Sequence, residues 1–169
     1  NSNSVTITVT IENNLQIEVK TYLQGSSLSP NAGEEGLMRD DLRVLNLIPT
    51  TSPYSDGITC DASVFNTSGN NAIVDWVFLE LRQGTAGAST VTHTKVGLIQ
   101  KDGDIVGMDG VSAIQFNAPA GNYFVAVRHR NHLGPPAGHS ATPPLTLSPH
   151  PHEFMAKAAD SEPSSESSN

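Results

Sequence analysis

Three carboxylates, Asp102, Asp104 and Asp109, fall within eight positions, and hard oxygen ligands at such spacing suit a calcium ion. They do not complete an EF-hand, because the twelfth position counted from Asp102 is Ala113 rather than a bidentate glutamate. Asp102-Gly103 and Asp109-Gly110 are also the pairs that close tight hairpins. Turn chemistry is therefore the preferred reading, calcium is the alternative, and no other cofactor is expected. Six histidines raise zinc, with His129 and His132 three apart and His150 and His152 two apart. On a strand, residues three apart face opposite sides, so His129 and His132 should not share one metal.

Arg128 and Arg130 alternate onto one strand face with Phe124 and Ala126. Their expected partners are carboxylates such as Asp40, Asp41, Asp75 or Glu80, in ion pairs that fix the fold. Trp76, Phe78, Tyr123 and Phe124 occupy strand-like positions and should pack in the core. Tyr22 and Tyr54, in or near loops, are the candidates for exposed stacking against a sugar. Asn66-Thr67-Ser68 is a glycosylation sequon, a tripeptide common by chance. Cys60 is the sole cysteine, so no intrachain disulfide forms, and a small half-buried hydrophobe is the expected role. No nucleophile has an adjacent base, and no glycine-rich phosphate loop precedes a helix, so an enzyme is not expected.

The elements that must hold these residues read as strands. Val5-Thr-Ile-Thr-Val9 alternates strictly, Asn13-Asn14 marks a turn, and Leu15 to Leu23 alternates again, which predicts a hairpin. Residues 24–36 carry dense turn formers and should be an exposed loop. Between Met38 and Ile48 only a short helix fits. Thr59–Phe65 is a candidate strand, and Ile73–Leu81 is apolar on both faces apart from Asp75 and Glu80, as a central strand covered on both sides would be. Further strands are expected at 90–100, 105–109, 112–117 and 121–130, with Leu145–Leu147 as an edge strand. The prediction is an all-β, antiparallel β-sandwich, Ig-like or jelly-roll-like, of about nine strands over residues 1–134. A Pro-, Ser- and Glu-rich extension over 135–169 follows.

Seventeen acidic residues against nine basic ones give a net charge of -8, which repels nucleic-acid phosphates. No stretch approaches the roughly 18 continuous apolar residues of a membrane span. The opening Asn1-Ser2-Asn3-Ser4, without Met, reads as a mature product whose export signal has been removed.

Ile73-Val-Asp-Trp-Val-Phe-Leu-Glu-Leu-Arg82, Gly97 to Val106, Asp109-Gly-Val-Ser112 and Gly121-Asn-Tyr-Phe-Val-Ala-Val-Arg-His-Arg-Asn-His-Leu-Gly134 form one set of strings, joined by Met38-Arg-Asp-Asp-Leu-Arg43. Together they resemble a recurrent β-rich module of large secreted or surface proteins of gliding bacteria that use type IX export. The chain departs from that module after Gly134, where Pro135-Pro136 stand in place of a Val-Met-Thr-like segment. The resemblance implies an extracellular or cell-surface location and no catalytic residues. The expected function is a non-catalytic structural subunit or adhesion module, self-associating into a filament through its terminal segments or contacting other surface proteins. The alternative is a carbohydrate-binding module whose partners are glycans.

Overall fold

The computed structural model describes residues 14–85, 88–130 and the strand 145–147. Strands dominate: β1 (Asn14–Ile17), β2 (Ile73–Gln83), β3 (Thr90–Gln100), β4 (Ile105–Val106), β5 (Ile114–Asn117), β6 (Gly121–Arg128) and β7 (Leu145–Leu147). Two single-turn helices, α1 (Gln24–Ser27) and α2 (Asp41–Val44), precede two short 3-10 segments, Ala62–Asn66 and Gly69–Asn71. β1 and β5 make a two-stranded sheet; the other five strands lie in the order β4-β3-β2-β6-β7, and every pairing is antiparallel. No helix among the described residues is long and apolar enough to cross a membrane.

Six strands lie between residues 14 and 128, with β7 beyond them. The difference from the expected nine has local causes. Val5–Val9 lies outside the described residues. Thr59–Phe65 is not a strand, because the Asp61 carboxylate accepts the Ser63 amide at 2.8 Å and caps a 3-10 turn instead. The strand expected over Leu15–Leu23 ends at Ile17. Beyond it the alternation still sends Leu23 inward, but the backbone meets the β3–β4 turn through single contacts, Thr21 N to Gly103 O at 2.9 Å and Ile105 N to Val19 O at 2.9 Å. β1 takes β5 as its partner, with Leu15 opposite Phe116 and Ile17 opposite Ile114. β7 is the edge strand expected at Leu145–Leu147, and it pairs with β6, Gly121 opposite Leu147.

β2 is central and buried on both faces, as its sequence suggested. On one side Val77, Leu79 and Leu81 join Leu15, Ile17, Ile114 and Phe116 of the small sheet in a single apolar cluster. On the other, Ile73 and Trp76 pack with Ile48 and Val64 from the loops and Val96, Leu98 and Val106 from β3 and β4. Ile73 and Trp76 are three apart, an odd spacing for one strand face. A register shift against β3 between Ile73 and Asp75 inserts the extra residue that brings them to the same side. Trp76 is fully buried, and its indole N–H donates to the Pro49 carbonyl at 2.8 Å, which ties the loop layer to the sheet. Such a side chain contributes about 3–5 kcal/mol relative to alanine.

Candidate functional site

Where β6 ends, the ladder between β2 and β6 stops at Phe78 opposite Arg128. Side chains take over from backbone there. Asp75, 1% exposed, accepts Arg130 Nε at 3.1 Å and Nη2 at 2.9 Å, meets His129 Nε2 at 3.0 Å, and accepts the Trp76 amide at 2.8 Å. Burial pushes this carboxyl up, but the bonds from His129, the Trp76 amide and Arg130 outweigh burial and hold it below the usual aspartate range. Arg128 turns instead to Glu80, Nε to Oε1 at 2.8 Å, and Arg82 approaches the same carboxylate at 3.4 Å. The two arginines thus meet carboxylates of β2, two of the four that sequence reasoning named.

A second buried cluster had no counterpart in the sequence reading. Lys101, 3% exposed, sets its ammonium 2.7 Å from Glu34 Oε1 and 3.5 Å from Asp40 Oδ1. Asp40 also accepts Arg43 Nε at 2.8 Å, and Arg43 Nη1 reaches the Phe65 carbonyl at 3.2 Å. Burial raises the Asp40 carboxyl, while Arg43 and Lys101 bring it below its ordinary value. The only sequence signal was the three-residue spacing of Asp40 and Arg43, which suits one helical turn.

Asp75 and His129 also line a cleft of about 360 Å3. Gly25 and Ser26 of α1 and Arg39, Asp41 and Leu42 around α2 form one part of its lining, and Val74, Asp75 and His129 form the rest. Arg39 Nη2 pairs with Asp41 Oδ2 at 2.7 Å, and both side chains are partly exposed. Arg39 Nε is shielded from solvent without a hydrogen-bond acceptor. The arrangement offers hydrogen-bond donors and acceptors beside two aliphatic walls.

The three turn carboxylates do not converge. Asp109 accepts the amides of Val111 at 3.0 Å and Ser112 at 2.9 Å, together with the Ser112 hydroxyl, and these bonds hold its carboxyl below the usual range. Asp102 Oδ1 accepts the Asp104 amide at 3.2 Å, and Asp104 pairs with Lys20 at 3.2 Å. Among the described residues no three His, Cys, Asp or Glu side chains gather as a metal group. His132, His150 and His152 lie outside the described residues.

Tyr22 keeps 49% of its surface exposed and donates its hydroxyl to the Asp102 carbonyl at 2.8 Å. Tyr54 does not offer a free ring, despite its loop position. It is half-buried against Phe78 with centroids 5.4 Å apart, and its hydroxyl donates towards the carbonyls of Trp76 at 3.2 Å and Arg128 at 3.4 Å. Cys60 is partly buried, and that burial pushes its thiol up. Asn66 of the sequon is exposed at the end of a 3-10 turn.

No protein-family model, no curated protein and no solved structure matches the chain.

Proposed function

We propose that the chain is a non-catalytic module of an extracellular or cell-surface assembly, a β-sandwich with a structural and adhesive role in a large exported protein of the type IX kind. The observation that carries this reading is how the strings behind the family resemblance spend their charges. Asp75 of β2 is matched by His129 and Arg130, Glu80 by Arg128, and Asp40 by Arg43 and Lys101. Buried charges matched in this way hold a single arrangement of strands, which is what a rigid scaffold needs. The acidic composition, at a net charge of -8, suits a secreted protein that stays clear of nucleic acid.

Self-association is part of the proposal. Val5 to Ile11 is a strongly β-prone segment able to add to an open sheet edge of a second copy, and head-to-tail addition of that kind generates fibres. The segment lies outside the described residues. The test has two parts. Cell fractionation of the native source should recover the chain at the surface or in the medium. Electron microscopy should show fibres for the full chain and not for versions lacking residues 1–12 or 135–169. Recovery from the cytoplasm would overturn the location, and monomers in all three preparations would overturn the assembly.

A further inference from the structure

We propose that the cleft between α1, α2 and the start of β2 binds a neutral sugar through a pair of adjacent hydroxyls. This deepens the adhesion reading above and rests on it. Four separate segments build the site: Ser26 from α1, Arg39, Asp41 and Leu42 around α2, Val74 at the start of β2, and His129 just past β6. Its volume of about 360 Å3 lies at the lower end of the roughly 300–1,000 Å3 typical of small-ligand sites.

The chemistry of the lining selects the ligand class. Its formal charges pair off, Arg39 with Asp41 and Asp75 with Arg130, so the cleft presents no surplus charge to an ion. What it presents is a guanidinium and a carboxylate side by side, held 2.7 Å apart at the surface. Two neighbouring sugar hydroxyls need that combination, because each hydroxyl is both donor and acceptor. The Arg39–Asp41 pair is partly exposed, so a ligand competes against a weak contact rather than a buried one. Arg39 Nε itself is shielded, so the donors a ligand would meet belong to the exposed part of the guanidinium, which carries more N–H groups than the Asp41 contact uses. Ser26 adds a hydroxyl that donates or accepts, and the half-buried Leu42 gives the C–H face of a pyranose ring an apolar surface, with the buried Val74 behind it.

The test uses the full chain, labelled with nitrogen-15 and titrated with methyl glycosides of common hexoses, with glucuronate as the charged comparison. Neutral glycosides should shift the amides of residues 25–26, 39–42 and 74–75. Arg39→Met should weaken that binding by about tenfold, the equivalent of one charge-assisted hydrogen bond. Should Arg39→Met not fold, Ser26→Ala, which removes one hydroxyl from the lining, gives the same test with a smaller loss. The proposal is overturned if no neutral glycoside shifts these amides, if the shifts map to another face, or if glucuronate binds and the neutral sugars do not. Its failure is separable from failure of the adhesion reading. A surface-located protein that ignores sugars loses only this site, whereas a sugar-binding protein found in the cytoplasm keeps the site and loses the location.

Discussion

Arg130 grips Asp75 with two hydrogen bonds, Nε to Oδ2 at 3.1 Å and Nη2 to Oδ1 at 2.9 Å, across 55 residues of chain. The pair closes the gap left where β6 stops pairing with β2. Asp75→Ala removes the carboxylate that pairs with Arg130 and His129 and should cost about 3–5 kcal/mol, the usual penalty for stranding one side of a buried ion pair. Arg130 is less buried, so Arg130→Met should cost less, about 1–3 kcal/mol. Urea unfolding at neutral pH measures both. Losses below about 1 kcal/mol in each would show that the clamp is incidental to the fold.

The same carboxylate makes stability depend on acid. Its folded value is held below the ordinary aspartate value, so its contribution is complete above about pH 4 and is lost as pH falls through the depressed folded value. Asp40 acts in the same direction. Unfolding free energy should therefore change little from these groups between pH 7 and about pH 4, then decline below it. In Asp75→Asn the decline should be shallower, because one of the responsible groups no longer titrates. An unchanged acid limb in that variant would remove Asp75 from the account.

Tyr54 gives the opposite signature at high pH. Burial pushes its phenol up to about 12, so it should ionise after an ordinary tyrosine in a spectrophotometric titration. Stability from this group is full below about pH 10 and is lost as pH rises towards the folded value. Tyr54→Phe should remove the late step. It should also lower stability by about 1 kcal/mol, since the hydroxyl links the backbones of Trp76 and Arg128 beyond the end of the ladder. A late step that survives in Tyr54→Phe would assign it to another tyrosine.

These predictions rest on contacts of which the sequence disclosed only part. The two-sided apolar run Ile73–Leu81 and the segment 121–130 between turn signals located β2 and β6, and the Asp102-Gly103 pair located the turn between β3 and β4. The partner of β1 was not legible, because a hairpin neighbour and a strand a hundred residues away present the same alternating face. Lys101 sits in a run of turn residues that reads as exposed; its burial comes from Glu34 and Asp40, which distant loops bring to it. The bulge at Val74 has no signature in hydrophobic pattern, since every residue around it except Asp75 is apolar. The cleft was not legible either, being assembled where a bulge, a strand end and two loop helices meet.

Gly103 tests the turn that the sequence did disclose. Its φ of +92° is one that side-chain-bearing residues adopt with strain, and a Cβ there would lie 2.7 Å from the Thr21 carbonyl oxygen. Gly103→Ala should cost at least about 1–3 kcal/mol from the backbone alone, with the clash added to it. Gly110, at φ +74°, is the comparison: its Cβ would meet only Val64, at 3.4 Å. Gly110→Ala should therefore cost less, and an equal loss in thermal unfolding would mean that the Thr21 contact is not what constrains the turn.

Calcium is the last question the acidic turns raise, and the bonds made by Asp109 suggest the answer. Its carboxylate accepts two amides and a hydroxyl from Val111 and Ser112, while Asp104 is matched by Lys20 and Asp102 by the Asp104 amide. A cation arriving here would have to replace bonds that already shape the turn. A bound ion that stabilises only the folded state raises the melting temperature by mass action, so its removal lowers it. Adding a chelator to the full chain should leave the melting temperature unchanged, whereas Asp109→Ala should lower stability by about 1–2 kcal/mol through loss of the turn bonds. A fall of many degrees with chelator, restored by calcium and abolished in Asp109→Ala, would establish the metal site and make the turn geometry a consequence of the ion.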